Sequence, residues 1–185
     1  MLVLFHDITD PASAVAVARC TRLAREGLPI AFEGFEAVGL DVALPPDIEV
    51  LARLDGLGAQ AAAEGLTLNR PQMMPPTGLA HVLLAHAETT PHAHDVRLAL
   101  YARYWGDGAD IASHSVLQDL AARCGLGVAA VAQVLGDRVG LALRRREMAA
   151  HRRDGIGGVP VILASRTLLP GLLEESQLRD LAAAV

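Results

Sequence analysis

The spacing of apolar residues predicts strands at the two ends of the chain and helices between them. Residues 2–8 are apolar on both faces and predict a buried strand. Residues 11–26 carry apolar side chains at helical spacing and stop at Gly27, a residue suited to a helix C-terminus. A second strand is predicted over residues 28–35. Because a helix joins them, the two strands should lie parallel with a right-handed crossover.

The middle of the chain carries the helical period, interrupted by glycine and proline. An irregular stretch covers residues 66–77, and Thr77 is predicted to cap the helix that follows it. The expected helices are 47–64, 77–88, 91–105, one that begins at Ser113 or Ser115 and ends at Cys124, 128–135 and 138–153.

A strand period returns near the end of the chain. Residues 159–164 and 167–169 predict a hairpin around Ser165 and Arg166, and residues 173–184 predict a closing helix. Strands at both ends and none in the centre favour an α/β domain made of 1–44 and 155–185, with an all-helical domain, 45–154, inserted into it.

Composition narrows the classes of function. The net charge of −5 argues against nucleic acid as a partner, and the absence of lysine removes Schiff-base chemistry. No apolar run approaches the roughly 20 residues of a membrane span, and the N-terminus lacks a basic leader. We therefore expect a cytoplasmic protein with no membrane partner. The basic run Arg144–Arg146, with Arg152 and Arg153, favours a solvated helix face over a phosphate site.

Neither cysteine has the spacing of a redox pair. Cys20 and Cys124 are 104 positions apart, and Cys20 lies three turns into its helix, away from the N-terminal dipole. Both are interpreted as buried small apolar residues.

Two short motifs stand out from this pattern. Asp10 can accept hydrogen bonds from the free amides of the first helix, and Pro11 suits its first turn. Gly158-Val159-Pro160 makes a sharp entry into the late strand, where a cis X–Pro bond is accessible.

With the aromatic stretch 101–111, these motifs resemble the DsbA-like branch of the thioredoxin superfamily. The chain is more closely similar to 2-hydroxychromene-2-carboxylate isomerases and kappa-class glutathione transferases. The resemblance implies a thioredoxin-like fold with an inserted helical domain. It also implies a small-molecule or thiol ligand, with glutathione or another low-molecular-weight thiol as the cofactor, and it allows a homodimer.

The resemblance places the family's attacking cysteine or serine at Asp10 and its second motif position at Ser13, beside Pro11. Val159, before Pro160, would offer its backbone to an extended ligand. Segments 66–80 and 101–108 would cover the cleft, which adds Thr77 and Trp105 as ligand contacts. An aspartate departs from the family's pattern, because a carboxylate neither exchanges a disulfide nor donates a bond to a thiolate. The family's lysine contact and its Ser-Asp pair after the last strand are also missing.

Each candidate also has a structural interpretation. For Asp10 a helix cap is favoured over a general base, and for Ser13 an inward hydroxyl donor and a first-turn partner are equally supported. His6 is the only histidine expected beside the cleft and is the acid–base candidate, although a buried strand histidine is favoured. Trp105 and Tyr101, four residues apart, favour packing over ligand stacking.

A metal site is not expected. His92, His94 and Asp95 offer two or three ligands without a further partner at matching spacing, and His81 and His86 diverge around their helix. Three functions therefore remain open: an isomerase- or transferase-like enzyme with a substituted active site, a non-catalytic binding module or degenerate paralogue, and a disulfide oxidoreductase.

Overall fold

A computed structural model describes residues 1–184 as a four-stranded mixed sheet with helices packed around it. In chain order the elements are β1 (Leu2–His6), α1 (Pro11–Arg25), β2 (Ile30–Gly34), α2 (Ile48–Gly56), α3 (Gly58–Ala63), α4 (Gly78–Ala87), α5 (Ala93–Trp105), α6 (His114–Arg123), α7 (Val128–Gly136), α8 (Arg138–Arg153), β3 (Val161–Ala164), β4 (Thr167–Pro170) and α9 (Glu175–Ala183).

The sheet has the strand order β2-β1-β3-β4. β1 and β2 are parallel, with His6 opposite Gly34 at their carboxyl ends, which confirms the predicted parallel pairing. β3 runs antiparallel to β1, with Val161 opposite Phe5, and the hairpin to β4 turns at Ser165 and Arg166. The early strands are shorter than predicted, since β1 ends at His6 and β2 at Gly34.

The alternation of side chains along β1 divides the core between the two faces of the sheet. Leu2 and Leu4 belong to the main core, which also includes residues of α1, α4, α5 and α6. Phe5 points to the other face, where a smaller cluster joins it to Phe35, Ile156 and Val161. His6 therefore lies on the face of the main core, toward α5.

The prediction of a single helix over residues 47–64 is wrong, because two short helices cover this segment. Instead of one helix over 47–64, α2 ends at Gly56 and α3 begins at Gly58. Two glycines that flank Leu57 weaken the helix there, because glycine loses more backbone entropy than other residues. The remaining helices begin and end within about two residues of their predicted limits.

Three of the five arginines for which the sequence favoured a solvated helix face contact β2 or the loop that follows it, whereas Arg146 and Arg153 are exposed. Arg144 lies 3.2 Å from Glu33 on β2. The Nε of Arg145 lies 3.3 Å from the buried Glu36, and Arg152 stacks over the ring of Phe35 at 4.6 Å. These contacts attach α8 to the end of β2 and the loop that follows it.

The main core is shared between the sheet and the central helices, so the two parts pack as one body. The division into 1–44 with 155–185 and 45–154 remains a prediction. Within residues 1–184, no helix is both long and apolar enough to cross a membrane.

Candidate active site

Asp10 caps the first helix, as the sequence predicted. Its Oδ2 accepts a hydrogen bond from the backbone N–H of Ser13 at 2.6 Å, and Pro11 occupies the first helical position. Ser13 is fully buried, and its hydroxyl accepts a bond from the backbone N–H of Asp7 at 3.4 Å. In this arrangement Ser13 helps to hold the β1–α1 loop.

Arg53 covers the carboxylate of Asp10. Its Nη1 lies 3.0 Å from Asp10 Oδ1, and the Arg53 side chain, on α2, is 43% exposed. Asp10 itself is only 6% exposed. Burial raises the pKa of Asp10 to about 6, against the opposing effects of the Ser13 bonds and of Arg53. This carboxyl can therefore change its protonation state near neutral pH.

Val159 and Pro160 lie at the same end of the sheet as Asp10. Val161 pairs with Phe5, so Pro160 follows the register toward His6, where β1 leads into α1. The Val159–Pro160 peptide bond is cis. Within residues 1–184, no backbone hydrogen bond uses the N–H or C=O of Val159.

Asp7 is the most connected polar side chain at this end of the sheet. Its Oδ1 accepts bonds from the Ile8 N–H at 2.8 Å and from His81 Nε2 at 3.1 Å. Its Oδ2 accepts bonds from the Ala37 N–H at 2.8 Å and from the Thr9 hydroxyl at 3.4 Å. The carboxylate thus joins the β1–α1 loop, the loop after β2, and α4.

His6 is not the only histidine beside the site, contrary to the sequence interpretation. The ring of His81 lies 5.9 Å from that of His6, and both side chains are buried. His6 Nδ1 is hydrogen-bonded to the Tyr101 hydroxyl at 2.8 Å. Burial, with lesser effects of His81 and Arg97, lowers the pKa of His6 well below its usual value. His6 is therefore neutral at pH 7 and is positioned as a buried strand histidine.

Thr77 and Trp105 are buried rather than open to a cleft. Thr77 stands at the N-cap position of α4, but its hydroxyl makes no capping bond, so the predicted cap is wrong in its chemistry. It lines a cavity of about 10 Å³ with Asp7 and Thr9, which has room for roughly one water molecule. Trp105 is 1% exposed, and its indole N–H donates to the Ile8 carbonyl at 2.9 Å. The Trp105 ring is therefore packed inside the protein and is not exposed to a ligand.

The cysteines lie outside the site. Cys20 is buried, and burial raises the pKa of its thiol to about 12. Cys124 is only half-buried, which corrects the prediction that both are buried, and burial also raises the pKa of its thiol. Among residues 1–184, no three histidine, cysteine or acidic side chains converge as metal ligands would.

Three residues of this site were missed from the sequence: Asp7, His81 and Arg53. Asp7 directly follows β1, which is a position where polar side chains of parallel strands gather. His81 has no such signal, because its neighbour Gly34 is distant in sequence; in the structure a Cβ at Gly34 would lie 2.5 Å from His81 Nδ1. Arg53 has no sequence signal, since its contact depends on how α2 packs against α1.

Comparison with protein families identifies the family to which the chain belongs. A model of the DSBA-like thioredoxin domain matches residues 29–183. The chain belongs to the DSBA-like thioredoxin domain family. The matched region begins after α1, and the Asp10–Ser13 motif lies outside it. A search of curated proteins finds no match to the chain.

Solved structures have the same fold at low identity. A probable DsbA oxidoreductase from Streptomyces coelicolor is 24% identical, with a TM-score of 0.80 over 99% of this chain and 87% of its own. A 2-hydroxychromene-2-carboxylate isomerase is 18% identical, with a TM-score of 0.78 over 99% and 93%. The cytosolic disulfide reductase DsbM from Pseudomonas aeruginosa, solved with GSH, is 19% identical, with a TM-score of 0.66 over 99% and 96%. These similarities establish the thioredoxin-like fold with a helical insertion.

The raised pKa of Asp10 gives a pH dependence with a defined sign. Its folded-state pKa, about 6, lies above the usual value of 3.8, so the folded chain binds the proton more tightly and loses stability as pH rises between these values. Relative to Asp10→Asn, the wild type should lose about 2–3 kcal/mol of unfolding free energy between pH 4 and pH 6.5. Urea unfolding of both proteins across this range measures the difference. A wild type that gains stability relative to Asp10→Asn as pH rises would mean that Arg53 and the helix N-terminus outweigh burial.

Proposed function

We propose that this chain is an isomerase- or transferase-like enzyme of the thiol-dependent branch of its family, with Asp10-Pro11-Ala12-Ser13 as its substituted active site. The observation that supports this most is the carboxyl of Asp10, which lies at the N-terminus of α1, at the sheet end shared with Val159 and Pro160, and has a pKa of about 6. A group with that pKa is suited to proton transfer at neutral pH.

In this proposal Asp10 moves the proton and the chain around it positions the ligand. Ser13 donates its N–H to Asp10 and keeps the carboxyl at the helix end. The free backbone groups of Val159 pair with an extended part of the ligand. His6 remains neutral and supports the site through Tyr101 rather than through proton transfer.

The proposed ligand is a small molecule or a low-molecular-weight thiol such as glutathione. The support for a thiol is that a structural neighbour, DsbM, was solved with GSH. A ligand reaches the carboxyl of Asp10 once Arg53 leaves it, because Arg53 covers this buried carboxyl at 3.0 Å. Arg53, once released, would offer its charge to a bound thiolate.

A non-catalytic binding module is the second candidate. The burial of Asp10 and Ser13 favours it, because a capped and ion-paired carboxylate is fully explained by its structural role. A degenerate paralogue would keep this arrangement and have no turnover. Thiol binding without turnover distinguishes the module from the enzyme.

A disulfide oxidoreductase is opposed by the position of the cysteines. Thiol exchange requires a thiolate, and neither Asp10 nor Ser13 supplies one, while the Cys20 thiol is buried with its pKa near 12. The protein should therefore not accelerate insulin reduction by dithiothreitol above the uncatalysed rate. Turnover that disappears in Cys20→Ser would contradict this assignment.

The thiol proposal predicts a gain of binding when the charge at position 10 is removed. Asp10→Ser keeps a capping oxygen, restores a hydroxyl donor and removes the repulsion of a thiolate. Calorimetric titration with glutathione and cysteine should show tighter binding to Asp10→Ser than to wild type. Asp10→Ala should lack this gain and be about 0.5–2 kcal/mol less stable than Asp10→Ser, because a methyl group cannot accept the Ser13 N–H.

Asp137→Ser is the matched control, because Asp137 caps α8 through the Val139 N–H and stands at an exposed helix start. It should leave thiol affinity unchanged. Undetectable thiol binding by both wild type and Asp10→Ser would remove the thiol from the proposal.

A further inference from the structure

A second cavity lies between the proline-rich segment 69–75 and the turn 106–110. Its volume is about 540 Å³, which is in the range of small-molecule sites in proteins. Asp10, Ser13, Val159 and Pro160 do not line it. It adjoins the small space beside Asp7 and Thr9, because Pro75 lines both.

The two walls of this cavity are tied together by hydrogen bonds. The backbone N–H of Asn69 donates to the Trp105 carbonyl at 2.9 Å, and Asn69 Nδ2 donates to the Gly106 carbonyl at 2.7 Å. The Tyr104 hydroxyl donates to the Met73 carbonyl at 3.2 Å. These bonds span the cavity at several points, so it is formed before any ligand binds.

Opposite charges without ion-pair partners face this space. Arg70 lies in one wall and Asp110 in the other, and neither has an ion-pair partner within residues 1–184. Asp110 Oδ1 accepts only the Ala112 N–H, at 3.0 Å. The remaining lining acid, Asp107, is paired with Arg103 at 2.7 Å. Met73 and Pro75 add apolar surface between the charges.

We propose that this cavity binds a small zwitterion, namely a free amino acid with an apolar side chain. Its carboxylate pairs with Arg70, its ammonium pairs with Asp110, and its side chain packs on Met73 and Pro75. A ligand with one charge would satisfy one wall and meet the like charge of the other. A zwitterion satisfies both.

Calorimetric titration of the full chain with L-leucine and two analogues tests this assignment. L-Leucinamide keeps the ammonium and lacks the carboxylate, whereas 4-methylpentanoate keeps the carboxylate and lacks the ammonium. We expect leucine to bind and each analogue to bind about two- to fivefold more weakly, as the loss of one exposed ion pair implies. No leucine binding at 10 mM, or an analogue that binds as tightly as leucine, would overturn the proposal.

Two variants assign each charge to its wall. Arg70→Gln and Asp110→Asn should each weaken leucine binding about two- to fivefold. Arg70→Gln should leave leucinamide binding unchanged, and Asp110→Asn should leave 4-methylpentanoate binding unchanged, because each analogue lacks the charge that the altered residue would meet. Arg166→Gln, at the exposed β3–β4 turn, and Asp55→Asn, exposed on α2, are the matched controls and should bind leucine as wild type does. Leucine affinity that Arg70→Gln and Asp110→Asn leave intact would contradict the site.

This outcome is independent of the thiol site. Arg70→Gln should not change the thiol titration of Asp10→Ser, and Asp10→Ser should not change leucine affinity.

Discussion

The carboxylate of Asp7 fixes the end of the sheet on which the candidate site depends. It accepts hydrogen bonds from the backbone N–H groups of Ile8, in the β1–α1 loop, and Ala37, in the loop after β2. It also accepts a hydrogen bond from the side chain of His81 on α4. A buried carboxylate left without these donors would cost several kcal/mol of stability. The β1–α1 loop, the loop after β2 and α4 are therefore held together by this one side chain. Asp10, three residues later, lies at the end of this loop, which positions it at the start of α1.

The close fit around His81 adds a steric constraint to the electrostatic one. His81 packs against Gly34 at the end of β2, where any larger residue would have to displace the imidazole ring. Its Nδ1 is buried without a partner, and its Nε2 alone provides its polar contact to the loop. His81 is therefore one of the side chains through which the helical part of the chain positions the thioredoxin-like part, with Trp105 and Tyr101.

The strands and most of the helices were predictable from the sequence because they follow from periodicity, whereas the thioredoxin-like fold was implied by the resemblance to the DsbA-like branch. The parallel β1–β2 pair, the terminal hairpin and the cap at Asp10 depend on local spacing and on residue types with known helix-end preferences. The break at Leu57 was missed because the glycines on either side were read as part of one helix. His81 was missed because helical spacing relates it only to His86, whereas its partner Asp7 lies 74 residues earlier. Arg53 was missed because its partner, Asp10, also lies far away in the sequence, 43 residues earlier.

Aspartate in place of a thiol or hydroxyl changes the physical nature of the active position. A carboxylate at a helix N-terminus is favoured by the dipole, yet this one is buried, and Arg53 covers it. The result is a site whose charge balance depends on one residue of α2. The burial of Asp10 raises its pKa, which supports the proposed proton transfer, and Arg53 covers the same carboxyl.

A double-mutant cycle between Asp7 and His81 tests most directly whether their contact organises the site. Unfolding free energies at pH 7 are compared for wild type, Asp7→Asn, His81→Leu and the double variant, with a cycle of Asp7→Asn and His86→Leu as the control. We expect a coupling of about 2–3 kcal/mol for the first pair and about zero for the control. Additive effects of Asp7→Asn and His81→Leu, within about 0.5 kcal/mol, would contradict it.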